Sequence, residues 1–204
     1  MNSSSHARQL RSSPDRDVRT LIVEAAAAHF GRYGYEKTTV SDVARSIGFS
    51  KAYVYKFFES KQAIGEVICS DRVREIVDVA THAMAGGTSA SERLRLMFRA
   101  LVEACQNLSP HDRKLYEIAA ATANPPWDSV RAYDDSIRLL IAQIAKEGRD
   151  LGEFERKTPL DEVVNAIYLV LRPYIDPLQL QHNLEHTDDA ATHLCGMLLR
   201  GLAP

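Results

Sequence analysis

The 204-residue chain has 45% hydrophobic residues and a formal net charge of −2, enough apolar material for one large or two small domains with a real core. No stretch approaches the roughly 20 apolar residues that cross a bilayer, and "MNSSSHARQLRSSPDRD" at the N-terminus lacks the apolar segment of a secretory signal. The charge is split along the chain: residues 1–61 hold ten Lys/Arg against six Asp/Glu, the remainder fifteen against twenty-one, so only the first part suits a polyanion.

Apolar residues three and four apart recur from residue 16 onward and period-two alternation is nearly absent, which predicts an all-α fold of about nine helices. Residues 1–14, rich in Ser and Arg, read as a disordered arm. The first helix is expected from about Asp17 to Tyr33, with Gly34 in the left-handed C-terminal position. Thr39 is expected to cap the second, with Asp42 completing a capping box, and Gly48 to stop it. Ser50 caps a short third helix, and helix, Gly-containing turn, helix is a helix-turn-helix layout. A fourth helix follows Ser60 and runs to about Ala85, a fifth spans about Ser91–Leu108, and a sixth starts at Pro110 and reaches Ala119. "NPPW" at 124–127 breaks the chain. A seventh covers about Ser129–Asp150. An eighth starts with Thr158 as cap and Pro159 at its first position, with Pro173 kinking or ending it. The ninth runs from Thr187 or Asp188 to Leu202.

The third helix, inside "SKAYVYKFFESK" (50–61), divides by helical period. Val54 and Phe58 are spaced to pack on the first two helices. Lys51 with Tyr55, and Ala52 with Lys56, lie four apart on other faces and carry ammonium groups, a phenol and a methyl suited to phosphates and base edges. Lys61, in the first turn of the fourth helix, opposes the helix dipole, a penalty that contact with a phosphate would relieve. From these residues alone a solvated amphipathic helix stays open beside a DNA-reading one.

Residues 21–64, "LIVEAAAAHFGRYGYEKTTVSDVARSIGFSKAYVYKFFESKQAI", resemble the DNA-binding module of the tetracycline-repressor (TetR) family. The likeness is carried by Ile22, Ala25, Ala26, Phe30, Gly34, Tyr35, Thr38, Thr39, Val40, Asp42, Val43, Ala44, Gly48, Ser50, Lys51, Tyr55, Phe58 and Lys61. It implies a cytoplasmic homodimeric transcription factor, a repressor on a palindromic double-stranded DNA operator, with a DNA-binding domain over 15–61 and a ligand-binding and dimerisation domain over 62–204. It implies that the third helix enters the major groove, that Tyr55 and Lys61 hold the backbone, and that Lys51, Ala52, Tyr53, Lys56 and Phe57 approach bases or nearby phosphates, with Thr39 and Ser50 completing the DNA-facing set. The family commonly has Gly-Thr where this chain has Ala52-Tyr53, and His where it has Phe57, so base preference does not carry over.

The second part is the sensor by the same resemblance, released from DNA by an unknown small, largely apolar effector. Met97, Phe98, Leu101, Cys105, Tyr116, Trp127, Tyr133 and Ile137 are candidates to line its cavity, and each also fits plain core. Val164, Ile167, Tyr168, Leu171, His193, Leu194, Met197 and Leu198 give apolar stripes on the last two long helices, which the family uses as a four-helix dimer interface. No nucleophile elbow and no phosphate-cradling glycine loop points to an enzyme, and no cofactor or membrane is called for. His182, His186 and His193 are the best metal candidate, but "HTDDAA" reads as a new helix that breaks their alignment, so no metal is assigned. A helical metal- or small-molecule-binding enzyme or bundle without a DNA role is the alternative. Cys69, Cys105 and Cys195, with no CxxC pair, read as buried thiols in a reducing compartment.

Overall fold

The computed structural model describes residues 14–122 and 126–204. Arg8 and Arg11 of the expected arm lie outside the described residues, as does Asn124 of the "NPPW" break. The described residues are all-helical and contain no strand: α1 Pro14–Tyr33, α2 Val40–Ser46, α3 Lys51–Val54, α4 Lys61–Ala85, α5 Ala90–Gln106, α6 Pro110–Glu117, α7 Asp128–Asp150, α8 Leu160–Ile175, α9 Pro177–Leu180 and α10 Thr187–Gly201. The chain forms two compact units, Met1–Gly65 and Glu66–Pro204.

In the first unit, Ile22, Ala26 and Phe30 of α1 are buried one turn apart, and Val40, Val43 and Ala44 of α2 and Val54 and Phe58 at α3 complete the core. The turns are left-handed where glycine removes the Cβ penalty: Gly34 has φ +86 and Gly48 φ +73. Thr39 caps α2 as expected. Its hydroxyl accepts from the Asp42 N–H (3.2 Å), and its own N–H donates to the Asp42 carboxylate (3.0 Å).

In the second unit α7 packs against α5 and α8, and α10 against α5 and α8. The amphipathic stripe of α5 (Leu94, Met97, Phe98, Leu101, Val102, Cys105) is wholly buried. Helix N-termini leave N–H groups without partners, and two here are satisfied by carboxylates distant in sequence. Glu153 accepts from Ala90 and Ser91 at α5 (3.0 and 3.1 Å), which lowers its pKa. Glu66 of α4 accepts from Asp128 and Ser129 at α7 (3.0 and 3.2 Å), where Trp127 supplies no side-chain cap.

The structure departs from expectation at three places, and at Pro173 it keeps the helix. Helix α8 begins at Leu160 with Pro159 in the cap position, and the Thr158 N–H is held by the Glu155 carboxylate instead. Pro173 sits inside α8, which continues to Ile175 before Asp176 ends it. Asp176 then caps the additional short helix α9 by accepting from the Leu178 and Gln179 N–H groups. Beyond α6 the chain widens into a π-helical turn, Ile118–Thr122.

Gly148 of α7 lies against the Phe154 ring so closely that a Cβ would fall 2.2 Å from a ring carbon. Gly148→Ala should therefore destabilise the chain by about 1–3 kcal/mol through overpacking. In thermal unfolding the same change should cost clearly less in a Phe154→Ala background.

Candidate functional site

The DNA-facing candidates are placed by what is buried beneath them. Val54 is 0% and Phe58 3% exposed, which turns Lys51, Ala52, Tyr55 and Lys56 outward. Ser50 caps α3 by accepting from the Tyr53 N–H (3.1 Å). Tyr53 and Phe57 are half-buried and form an edge-to-face ladder with Phe49: ring centroids are 4.9 Å apart for Phe49–Tyr53 and 5.4 Å for Tyr53–Phe57. Tyr53 and Phe57, which stand where the family commonly has Thr and His, thus brace one another. The Lys56 ammonium lies 5.5 Å from the Tyr53 ring and that of Lys51 5.7 Å from the Tyr55 ring. Arg19 of α1 fixes the end of the segment: it donates to the Phe57 carbonyl (2.7 Å) and lies 4.2 Å from the Phe58 ring centroid.

Lys61 and Thr39 are engaged within the chain. The Lys61 ammonium donates to the Tyr35 carbonyl (3.0 Å) and sits 4.2 Å from the Tyr35 ring centroid. These contacts supply the compensation for a cation in the first turn of α4 that the sequence reading sought in a phosphate. The Thr39 hydroxyl donates to the Asp42 carboxylate (2.6 Å). These bonds lower the Asp42 pKa, helped by Arg45 nearby. Sequence reasoning missed Arg19, whose spacing on α1 carries no sign of its role.

The eight effector candidates are all buried in the second unit, and among them Tyr133 meets both Tyr116 and Cys105. The Tyr133 hydroxyl donates to the Ile175 carbonyl (2.5 Å), to which the Cys105 thiol also donates (3.3 Å). That carbonyl lies at the end of α8, where helix geometry supplies no N–H partner, so α5, α7 and α8 are joined through it. The Tyr116 and Tyr133 rings meet edge to face at 6.3 Å, and Phe98 meets Tyr174 at 6.2 Å. Two residues that the sequence reading did not single out tie α4 to this region: Glu66 caps α7, and Arg72 pairs with Asp112 of α6 at 3.4 Å.

Of the dimer candidates, Tyr168 and Leu171 are buried inside the subunit (2% and 0% exposed), while Ile167, 2% exposed, forms part of the floor of the groove between α8 and α10. The Tyr168 hydroxyl donates to Asp134 (2.7 Å). Val164 is half-buried and His193 exposed. Leu194, Met197 and Leu198 of α10, with Val163, Ala166 and Val170 of α8, line an open groove of about 410 Å³. Met197 is 64%, Leu169 54% and Val170 38% exposed. Leu169 and Val170 were not in the expected stripe.

His182 lies in the turn after α9 and His193 on α10, while the His186 side chain lies outside the described residues. Among the described residues no group of three His, Cys, Asp or Glu side chains could hold a metal, and no helix is long and apolar enough to cross a membrane.

Residues 22–67 match the family model described as "Bacterial regulatory proteins, tetR family", and residues 90–195 match "Tetracyclin repressor-like, C-terminal domain". The chain is 30% identical over 159 residues to the uncharacterized HTH-type transcriptional regulator YhgD of Bacillus subtilis (78% of this chain, 81% of that one). It is 27% identical over 157 residues to the HTH-type transcriptional repressor KstR2 of Mycolicibacterium smegmatis (73% of each). A TetR-family regulator from Pectobacterium atrosepticum shares the fold with a TM-score of 0.72 at 15% identity, covering 93% of this chain and 95% of that one. The fold and the outward face of α3 are those of a helix-turn-helix transcriptional regulator. The chain belongs to the TetR family.

Burial pushes the Cys69 and Cys195 thiols up to about 11 and Cys105 to about 12. A pKa raised on folding gives stability that is intact below the unfolded value, near 9, and lost as pH rises through the folded values. The melting temperature should fall between pH 9 and 12. At pH 8 a thiol reagent should label no cysteine in the native protein and all three after denaturation.

Proposed function

We propose that the chain is a cytoplasmic, homodimeric repressor that binds a palindromic operator and leaves it when a small, largely apolar effector enters the second unit. The observation that supports DNA reading most directly is the division of residues 50–61: Val54 and Phe58 inward, Lys51, Ala52, Tyr55 and Lys56 outward. The name "repressor" of the M. smegmatis relative supports the sign of regulation. Tyr55 and Lys61 are assigned to phosphates, and Lys51, Ala52, Tyr53, Lys56 and Phe57 to bases or nearby phosphates, with Thr39 and Ser50 at the edges. Lys61 would keep its Tyr35 contacts and offer its remaining protons. Tyr55→Phe should weaken binding to all sequences about equally. Tyr53→Thr or Phe57→His should alter the sequences recovered by selection on random duplexes, and unchanged preference in both would remove Tyr53 and Phe57 from base reading.

The effector reading rests on the buried cluster of Met97, Phe98, Leu101, Cys105, Tyr116, Trp127, Tyr133 and Ile137, an apolar wall with two phenols and a thiol as polar handles. Displacing the Tyr133 or Cys105 bond to Ile175 would alter how α5, α7 and α8 are joined, and Glu66 and Arg72 would carry the change to α4, whose residues 61–85 run on from the DNA-reading segment. A ligand acting this way binds the non-DNA-binding arrangement better, and DNA weakens its binding by the same factor. Native mass spectrometry on the freshly purified protein should detect a bound apolar compound. Tyr133→Phe, which removes one hydroxyl, should impair its release of DNA and leave ligand-free DNA affinity nearly intact.

Dimerisation is assigned to the exposed apolar surface of α8 and α10. Val170→Asp and Met197→Asp should each give a monomer by sedimentation with helicity retained, because a partner would bury an unpaired charge at a cost of several kcal/mol. An intact dimer in both variants would move the interface elsewhere. Leu171 is unsuitable for this test, since a charge there would unfold the subunit itself.

A further inference from the structure

The first unit carries a second cationic surface, apart from α3. An open groove of about 650 Å³ runs between the C-terminal half of α1 and α2, lined by His29, Arg32, Tyr33, Lys37, Asp42 and Arg45 among others. Its three cations face one carboxylate, and that carboxylate is already occupied: Asp42 accepts from the Thr39 N–H and hydroxyl and stands 3.5 Å from Arg45. Arg32 and Lys37 are exposed, and among the described residues no carboxylate pairs with either. The packing of the unit does not need them. Tyr33, 50% exposed, offers a ring beside the Arg32 guanidinium, whose carbon lies 5.2 Å from the ring centroid. Thr38, next to Thr39 in the chain, is among the groove's lining residues.

We propose that this groove takes the phosphodiester backbone of duplex DNA outside the operator half-site read by α3, with Arg32 and Lys37 as its phosphate ligands and Arg45 at its rim. The proposal rests on the DNA-binding reading above. The charge pattern favours it over a small apolar ligand, and two cations unpaired among the described residues, Arg32 and Lys37, suit successive phosphates of a polyanion better than a single phosphate. Contacts of this kind add affinity without sequence preference and steepen the dependence on salt.

The test uses the full chain and duplexes bearing the sequence recovered by selection, one ending at the half-sites and one with about ten further base pairs on each side. Wild type should bind the longer duplex more tightly at low salt. Arg32→Ala/Lys37→Ala should bind the shorter duplex as wild type does and lose the gain from the flanks. Its salt exponent on the longer duplex should be smaller by roughly 0.9 for each phosphate contact removed, up to roughly 3.6 for four contacts in a dimer. Equal affinities and equal salt exponents for wild type and variant on the longer duplex would overturn the proposal. So would a groove that binds pyrophosphate alone, seen as a thermal shift in wild type and not in the variant, without any flank effect. Failure of wild type to bind the shorter duplex would instead count against the DNA-binding reading itself.

Discussion

Everything assigned to DNA in this chain depends on burying two side chains, Val54 and Phe58, against α1 and α2. A four-residue helix cannot hold itself in water; α3 exists because Val54 is wholly buried, Ser50 caps its start and Arg19 grips its end through the Phe57 carbonyl. Once those inward positions are set, the helical period leaves no freedom for the others. Lys51, Ala52, Tyr55 and Lys56 face out, and the Phe49–Tyr53–Phe57 rings form a stiff edge beside them. On the proposed DNA reading, side chains braced before binding lose less entropy on meeting DNA.

The second unit obeys a different constraint, the pairing of backbone groups at helix ends. Ile175 has a carbonyl that no helix can satisfy, and it receives Tyr133 and Cys105. Helix α7 has N–H groups that no local side chain caps, and it receives Glu66. Helix α5 receives Glu153. Each such bond joins elements far apart in sequence. Polar groups in a low-dielectric interior give such networks their leverage, since an unmade bond there is expensive.

How much of this could be read from the residues varies by mechanism. Local chemistry was legible: Thr39 and Asp42 as a capping box, Gly34 in a left-handed turn, Gly48 as the stop of the second helix, Ser50 as a cap, and the inward stripe of α5 all follow from spacings of a few residues. Long-range partners were not. Nothing near Glu66 or Arg19 in the sequence marks them as a distant cap or clamp, and Lys61 gave no sign that Tyr35 would hold it. Amphipathic stripes located α8 but could not divide it: the apolar surface is broader than one face, and only the packing of α5 and α7 decides that Tyr168 and Leu171 go inward while Leu169 and Val170 stay out. Helix α9 escaped notice because Pro177 after Asp176 reads equally well as a loop.

The central claim is that two copies of the α3 surface read a two-fold symmetric duplex. Footprinting of the full-length protein on the sequence recovered from random DNA measures this most directly. The account predicts two protected half-sites related by a dyad, centred about one helical turn or a multiple of it apart, with affinity that falls steeply as salt rises. A single asymmetric protected patch, or an affinity indifferent to salt, would contradict it.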